Sequence, residues 1–332
     1  MTTTTSLSDG GLRPARSRPS AHLLDALSRQ DHLDARTRQG LSNHLPMELI
    51  ALDALGAPPE RLDAMLDIWV GRMLAPRLDT TVVDAFRAEV AADGIDATVH
   101  AHLPRLGESP GSEWFHSMIR LAYALDAGHE GQVASALADW ATYGRILPGE
   151  PPEGGTSRPL TLLRALVGAD LDPPDSHADL GGVARQPGFV AMAAGMAVDD
   201  DLDGLAAAVA AAHVAGANLA TLHLVTGVQA ARSLLDRLVP DDRRRFARRV
   251  SQAAAAGFVA AGRPPLPDDE ELEALRRVTL PVWDEVRAAA VASPDVHVTK
   301  LVYTAVVELE ATGDPLYGWL AAREVGLVHR DS

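Results

Sequence analysis

Apolar residues recur at helical spacing along nearly the whole chain, and no stretch shows the strict alternation of a half-buried strand. The pattern predicts helices over residues 21–27, 43–56, 58–74, 112–125, 130–143, 189–197, 202–215, 219–238, 243–261, 268–292, 294–312 and 316–325. Local signals set the ends. Asn43 offers a capping side chain, and Pro46 is tolerable because it falls in the first turn. Gly56 closes that helix and Pro58-Pro59-Glu60 opens the next. Ser112 reads as the cap of 112–125, and Ser293-Pro294 as cap and first-turn proline of a helix ended by Gly313. The Pro/Gly-rich stretches 148–157 and 170–182 read as loops, neither long nor polar enough to divide the chain. The expected fold is an all-α, single-domain multi-helix bundle over residues 21–328, behind a disordered tail over 1–20.

Composition agrees. Apolar residues make up 47% of the 332 and aromatics only 4%, so the core must be built from Ala, Leu and Val, which favours helices that approach closely. The net charge of −15 disfavours nucleic acid and anionic membranes as partners. With no cysteine, disulfides, thiolate metal sites and cysteine nucleophiles are excluded. Residues 1–20 carry Arg13, Arg16 and Arg18 but no apolar core, and the Ala-rich run 205–224 is interrupted by His213, Asn218 and His223. Neither reads as a signal peptide or a membrane span, and a cytoplasmic protein is expected. Lys300 is the only lysine. A preference for Arg explains the missing lysines but not the one that stayed.

Twelve histidines are the most informative chemical feature. His22, His32, His129, His177 and His329 sit beside charges or in loops and read as solvated. His100 and His102, two apart, read as pointing to opposite sides of an extended segment, and His213 as a core histidine. Four others lie in apolar helical contexts. His44 is in Asn43-His44-Leu45-Pro46-Met47, and His116 is in Glu113-Trp114-Phe115-His116-Ser117-Met118-Ile119-Arg120. His223 precedes Gly227, which leaves space beside the ring, and His297 is in Asp295-Val296-His297-Val298-Thr299-Lys300. His297 and Lys300 share a helix face, and a buried lysine there tends to lose its proton. Taken singly, each histidine is better read as hydrogen-bonded in the core, because the gaps between them match no short ligand motif.

Four segments, in this order, resemble the questin oxidase-like family of fungal and bacterial proteins: Asn43 to Met47 with Ala54-Leu55-Gly56-Ala57; Phe115 to Leu125; Leu222 to Gly227; and His297 to Val302. The resemblance implies an all-helical fold. Fungal members are associated with oxidative ring opening of anthraquinones, described as a Baeyer-Villiger step using NADPH. One branch resembles a non-haem iron dioxygenase whose metal is held by four histidines and a carboxylated lysine. Carried over by position, the buried metal site would use His44, His116, His223, His297 and Lys300, with Lys300 also the catalytic residue. Met47, Trp114, Arg120 and Tyr303 neighbour these positions and are the candidates for an aromatic-substrate pocket, although core packing is the plainer role for each.

Imidazole and carboxylate-type oxygen suit ferrous iron. A neutral Lys300 can add carbon dioxide to give an anionic oxygen ligand, which a permanently protonated Arg cannot. There is no Gly-x-Gly-x-x-Gly after a strand, so NADPH, if used, binds in another way. The resulting expectation is an Fe(II)-dependent oxygenase of secondary metabolism that cleaves a carbon–carbon bond of a polycyclic aromatic or polyketide-type substrate with dioxygen. A homodimer is left open. The alternatives are a metal-dependent hydrolase using zinc or two metals, and a non-catalytic helical binding protein.

Overall fold

A computed structural model describes residues 18–149, 151, 155–172 and 179–329. The helices in chain order are α1 Ala21–Arg29, α2 Leu45–Ala54, α3 Pro59–Arg72, α4 Thr81–Asp93, α5 Ile95–Leu106 and α6 His116–Ala127. They continue with α7 Glu130–Tyr143, α8 Pro159–Val167, α9 Leu180–Ala184, α10 Pro187–Ala193, α11 Asp203–Gly216 and α12 Leu219–Leu235. The last five are α13 Pro240–Ala260, α14 Asp269–Arg276, α15 Trp283–Ala292, α16 Val296–Thr312 and α17 Pro315–Glu324. Among the described residues there is no strand, only isolated bridges such as Leu33 with Pro76. Nor is any described helix long and apolar enough to cross a membrane.

The centre is a closed ring of four helices. α2 packs on α6, α6 on α12, α12 on α16, and α16 back on α2. Their sequences explain their place. α2 buries every residue from Leu45 to Leu52, and α16 every residue from Thr299 to Leu309, so neither has a polar face to turn outward. Around them, runs of buried alanine such as 208, 210, 211 and 212 on α11 and 253–256 on α13 let the outer helices approach closely.

The structure corrects several sequence expectations. α4 and α5 occupy a stretch for which the pattern gave no element, because α4 buries only Val83, Phe86 and Val90. His100 and His102 therefore lie on a helix, where His102 contacts Glu89 at 2.8 Å and His100 Nδ1 contacts the Arg237 carbonyl at 3.1 Å. The single helix expected over 268–292 is two, α14 and α15, parted at a stretch containing Pro281. Asp295, not Ser293, caps α16, its side chain accepting from the His297 amide. Ser112 caps nothing; its hydroxyl accepts from the Arg145 amide at 2.7 Å, and α6 starts four residues later. α8 was not expected, and α9 begins inside the loop expected over 170–182. Of the tail expected over 1–20, residues 1–17 lie outside the described residues, as do His177 and parts of both loops, while Ser20 caps α1.

Candidate metal centre

Each helix of the central ring contributes one histidine near its N-terminal end. His44 holds the N-cap position of α2, His116 is the first residue of α6, His297 the second of α16 and His223 the fifth of α12. Helix N-termini carry partial positive charge, so their convergence disfavours imidazolium and favours anionic partners. His44 Nε2 and His116 Nε2 approach to 2.7 Å, and His223 Nε2 lies 3.0 Å from His116 Nε2. One ring nitrogen each of His44, His223 and His297 falls within 4.8 Å of the others, a grouping able to hold a metal ion.

The outer contacts decide which nitrogen of each ring carries the proton. His223 Nδ1 lies 2.7 Å from the Leu219 carbonyl, and His116 Nδ1 contacts the Glu113 carbonyl. A carbonyl only accepts, so both Nδ1 atoms must donate. His297 Nδ1 likewise meets the Asp295 carboxylate at 2.9 Å. Three Nε2 atoms are thereby left as inward lone pairs. Burial and the nearby Lys300 push His116 down to about 3, and burial holds His44 and His223 well below the ordinary histidine range. The 3.0 Å approach of His116 and His223 is then lone pair against lone pair, with no proton to share. A shared cation resolves that contact, and outward Nδ1–H donation is the arrangement metal-binding histidines adopt.

Lys300 acts electrostatically on all four histidines. It is fully buried, its Nζ has no hydrogen-bond partner, and burial lowers it to about 8 against the opposing charges of Glu48 and Asp295. A buried amine without a partner is costly and calls for an explanation.

The turn before His116 is the longest run of left-handed backbone among the described residues. Glu113, Trp114 and Phe115 are all left-handed, with φ of 52, 56 and 66°. Such residues cost about 1–3 kcal/mol each and persist only where their surroundings fix them. Phe115 is held against Gly227, where an added Cβ would stand 2.6 Å from the Phe115 ring. The space that Gly227 provides is therefore filled by Phe115 rather than left beside His223. At the other end of the turn, Arg36 donates to the Glu113 carboxylate at 3.0 Å and stacks 3.7 Å from the Tyr143 ring centre. The turn thus presents the carbonyl that orients His116.

A cavity of about 420 Å³ opens onto His116 and His223, walled by Trp114, Asn218, Leu219, Ala220 and Ala261. Left-handed Ala217 adjoins this wall, and left-handed Arg263 lies two residues beyond it. Of the four residues expected to line a substrate pocket, Trp114 walls this cavity. The other three are buried elsewhere: Met47 in the core, Arg120 donating to the Asn43 carbonyl at 2.7 Å, and Tyr303 donating to Asp126 at 2.7 Å. Arg120 thereby holds the segment that carries His44. The orienting groups Glu113, Leu219 and Asp295 and the buried Glu48 were not singled out from sequence. The Asp-x-His spacing at a helix start was the one available signal, since the other two act through backbone carbonyls.

The family model described as Questin oxidase-like matches residues 77–305, a stretch that contains His116, His223, His297 and Lys300 but begins after His44. A search of curated proteins finds no significant match. The matched stretch covers well over half of the chain and three of its four converging helices, and the chain belongs to the questin oxidase-like family.

Proposed function

We propose that the chain is an Fe(II)-dependent oxygenase that cleaves a carbon–carbon bond of a polycyclic aromatic substrate of the anthraquinone or polyketide type. The observation that carries this reading is the set of inward Nε2 lone pairs, fixed by Glu113, Leu219 and Asp295 at or just before the starts of α6, α12 and α16. His44, His116, His223 and His297 would hold the ion, with Lys300 as its carbamate supplying an anionic oxygen. Four neutral imidazoles and one carbamate leave a divalent ion with one net positive charge. When bound, ferrous iron supplies the one-electron chemistry that dioxygen needs to react with a closed-shell organic molecule.

The protein's own residues supply the rest. Trp114, Leu219, Ala220 and Ala261 offer an apolar wall suited to a flat ring system, and Asn218 adds a polar side chain at its edge. The cavity lies on the His116 and His223 side, so substrate approaches from there, while the His297 side chain on α16 stays partly exposed. The family membership supports an oxidative reaction on a small molecule, and dioxygen is the partner that an iron centre of this kind requires.

The test is elemental analysis of protein purified without added metal or a metal-binding tag, beside His223→Ala and Lys300→Ala. The expected result is about one iron per chain, absent from both variants. Oxygen-dependent consumption of an anthraquinone, assayed with and without NADPH, should follow iron content. Zinc in place of iron with oxygen-independent turnover, or a folded protein that takes up no ferrous iron under anaerobic conditions, would overturn the reading.

A further inference from the structure

Asn218, at the N-cap of α12, walls the cavity that ends on His116 and His223. Its carboxamide is held at one end only. Oδ1 accepts from the Thr221 amide at 2.9 Å, and the Asn218 amide donates to the Thr221 hydroxyl at 3.1 Å, a reciprocal capping box. Thr221 is fully buried and its hydroxyl lies 3.0 Å from His213 Nδ1, so the cap rests on packed side chains. A backbone N–H needs an acceptor, so the cap also decides which end of the carboxamide is which: the free end is Nδ2. Among the described residues Nδ2 donates to nothing.

The rest of the wall offers little to an oxygen. Leu219, Ala220 and Ala261 are apolar, and His116 and His223 donate outward through Nδ1. The side-chain donors left are the Trp114 indole and Asn218 Nδ2, and of these Asn218 is the one fixed by a hydrogen bond of its own. It is also tied to the histidines through one peptide unit, because the next residue, Leu219, presents the carbonyl that orients His223. Resting on the aromatic-substrate reading above, we propose that Asn218 is a specificity-determining residue, its Nδ2 donating to a carbonyl oxygen carried on the substrate's ring system. A ring carbonyl only accepts, and it would lose its hydration against an otherwise apolar wall. A donor already held in place gives up little freedom in meeting it. The wall therefore prefers an oxygenated polycycle to a hydrocarbon of the same outline.

The experiment is equilibrium dialysis of the protein as purified, kept anaerobic so that binding is read without turnover, with melting temperature recorded alongside. The probes are anthraquinone-2-sulfonate and anthracene-2-sulfonate, which differ in the two ring carbonyls; the shared sulfonate cancels in the ratio of their affinities. Wild type should favour the quinone by about five-fold, the worth of one neutral hydrogen bond. Asn218→Asp keeps an oxygen for the Thr221 amide but has no N–H, and Asn218→Gly is a neutral residue tolerated at an N-cap. Both should melt close to wild type and lose the preference. A folded variant of either kind that keeps the wild-type ratio overturns the proposal, as does wild type that binds both probes equally, and either result leaves the aromatic-substrate reading in place. Wild type that binds neither probe overturns that reading and this proposal with it.

Discussion

Two hollows in the molecule differ in what their walls leave unpaired. The larger, about 600 Å³, lies between α1, α2, α3 and α15. Most of its polar groups answer one another: Asp53 accepts from the Ser20 amide at 3.1 Å and from its hydroxyl, and Arg287 pairs with Asp284, while His22 Nε2 lies 3.2 Å from the Asp63 carboxylate without a hydrogen bond. The smaller, about 420 Å³, ends on His116 and His223, whose inward nitrogens have no proton between them, and is flanked by left-handed backbone at 113–115, 217 and 263. Size favours the first cavity as a binding site. Unanswered lone pairs and held strain favour the second, and these properties are harder to explain without a ligand.

The contrast can be broken most decisively at the metal. His116→Ala should bring bound iron from about one per chain to near zero, while Asp53→Ala and Arg287→Ala in the larger cleft should leave it unchanged, all by elemental analysis. Iron loss in the cleft variants would reverse the assignment. Next in size is Gly227→Ala, whose new methyl must displace Phe115. We expect about 1–3 kcal/mol lost in chemical denaturation from overpacking, together with weaker metal binding as the left-handed turn shifts.

Acid should act on the metal-free protein by a comparable amount. Histidines held neutral in the fold bind protons more readily once unfolded, so stability falls as pH drops below the ordinary histidine value of 6.5 and continues to fall towards about 3 for His116. His116 alone accounts for roughly 2 kcal/mol at pH 5. Glu48, raised to about 8, works in the opposite direction, but it is one group against four. The melting temperature of metal-free protein should therefore fall from pH 7 to pH 5, and that of His116→Phe should fall less. A smaller effect is expected at the far end of the strained turn. Arg36→Ala removes the ion pair to Glu113 and should weaken metal affinity several-fold, about 1 kcal/mol, with little change in fold. Smallest is Ser20→Ala, which removes a helix cap and should cost about 1 kcal/mol of stability with no effect on metal.

The helical class was legible in the sequence because Ala and Leu at helical spacing admit little else. The histidine quartet was not legible from spacing. His44 and His116 are 72 residues apart and His116 and His223 are 107 apart, each pair brought together by helix packing. Apolar helical contexts set these four apart from the other eight, but only the resemblance to the family joined them into one site. The start of α6 was misread for a similar reason. Residues 113–115 look like a first turn after Ser112, but Phe115 is drawn into the hollow at Gly227 on another helix, and no local signal records that. Glu48 escaped notice because α2 is buried all round, so that its sequence gives no polar face from which a buried acid would stand out.

The complete burial of the chain's only lysine has a practical consequence. Lysine-selective reagents find no side-chain amine on the surface, so immobilisation and cross-linking by amine chemistry are confined to the N-terminus. The same isolation makes isotopically labelled lysine a one-site reporter. Protein grown on it carries a single labelled side chain, at the centre of the helix ring, whose spectrum is free of overlap from any other residue of its kind.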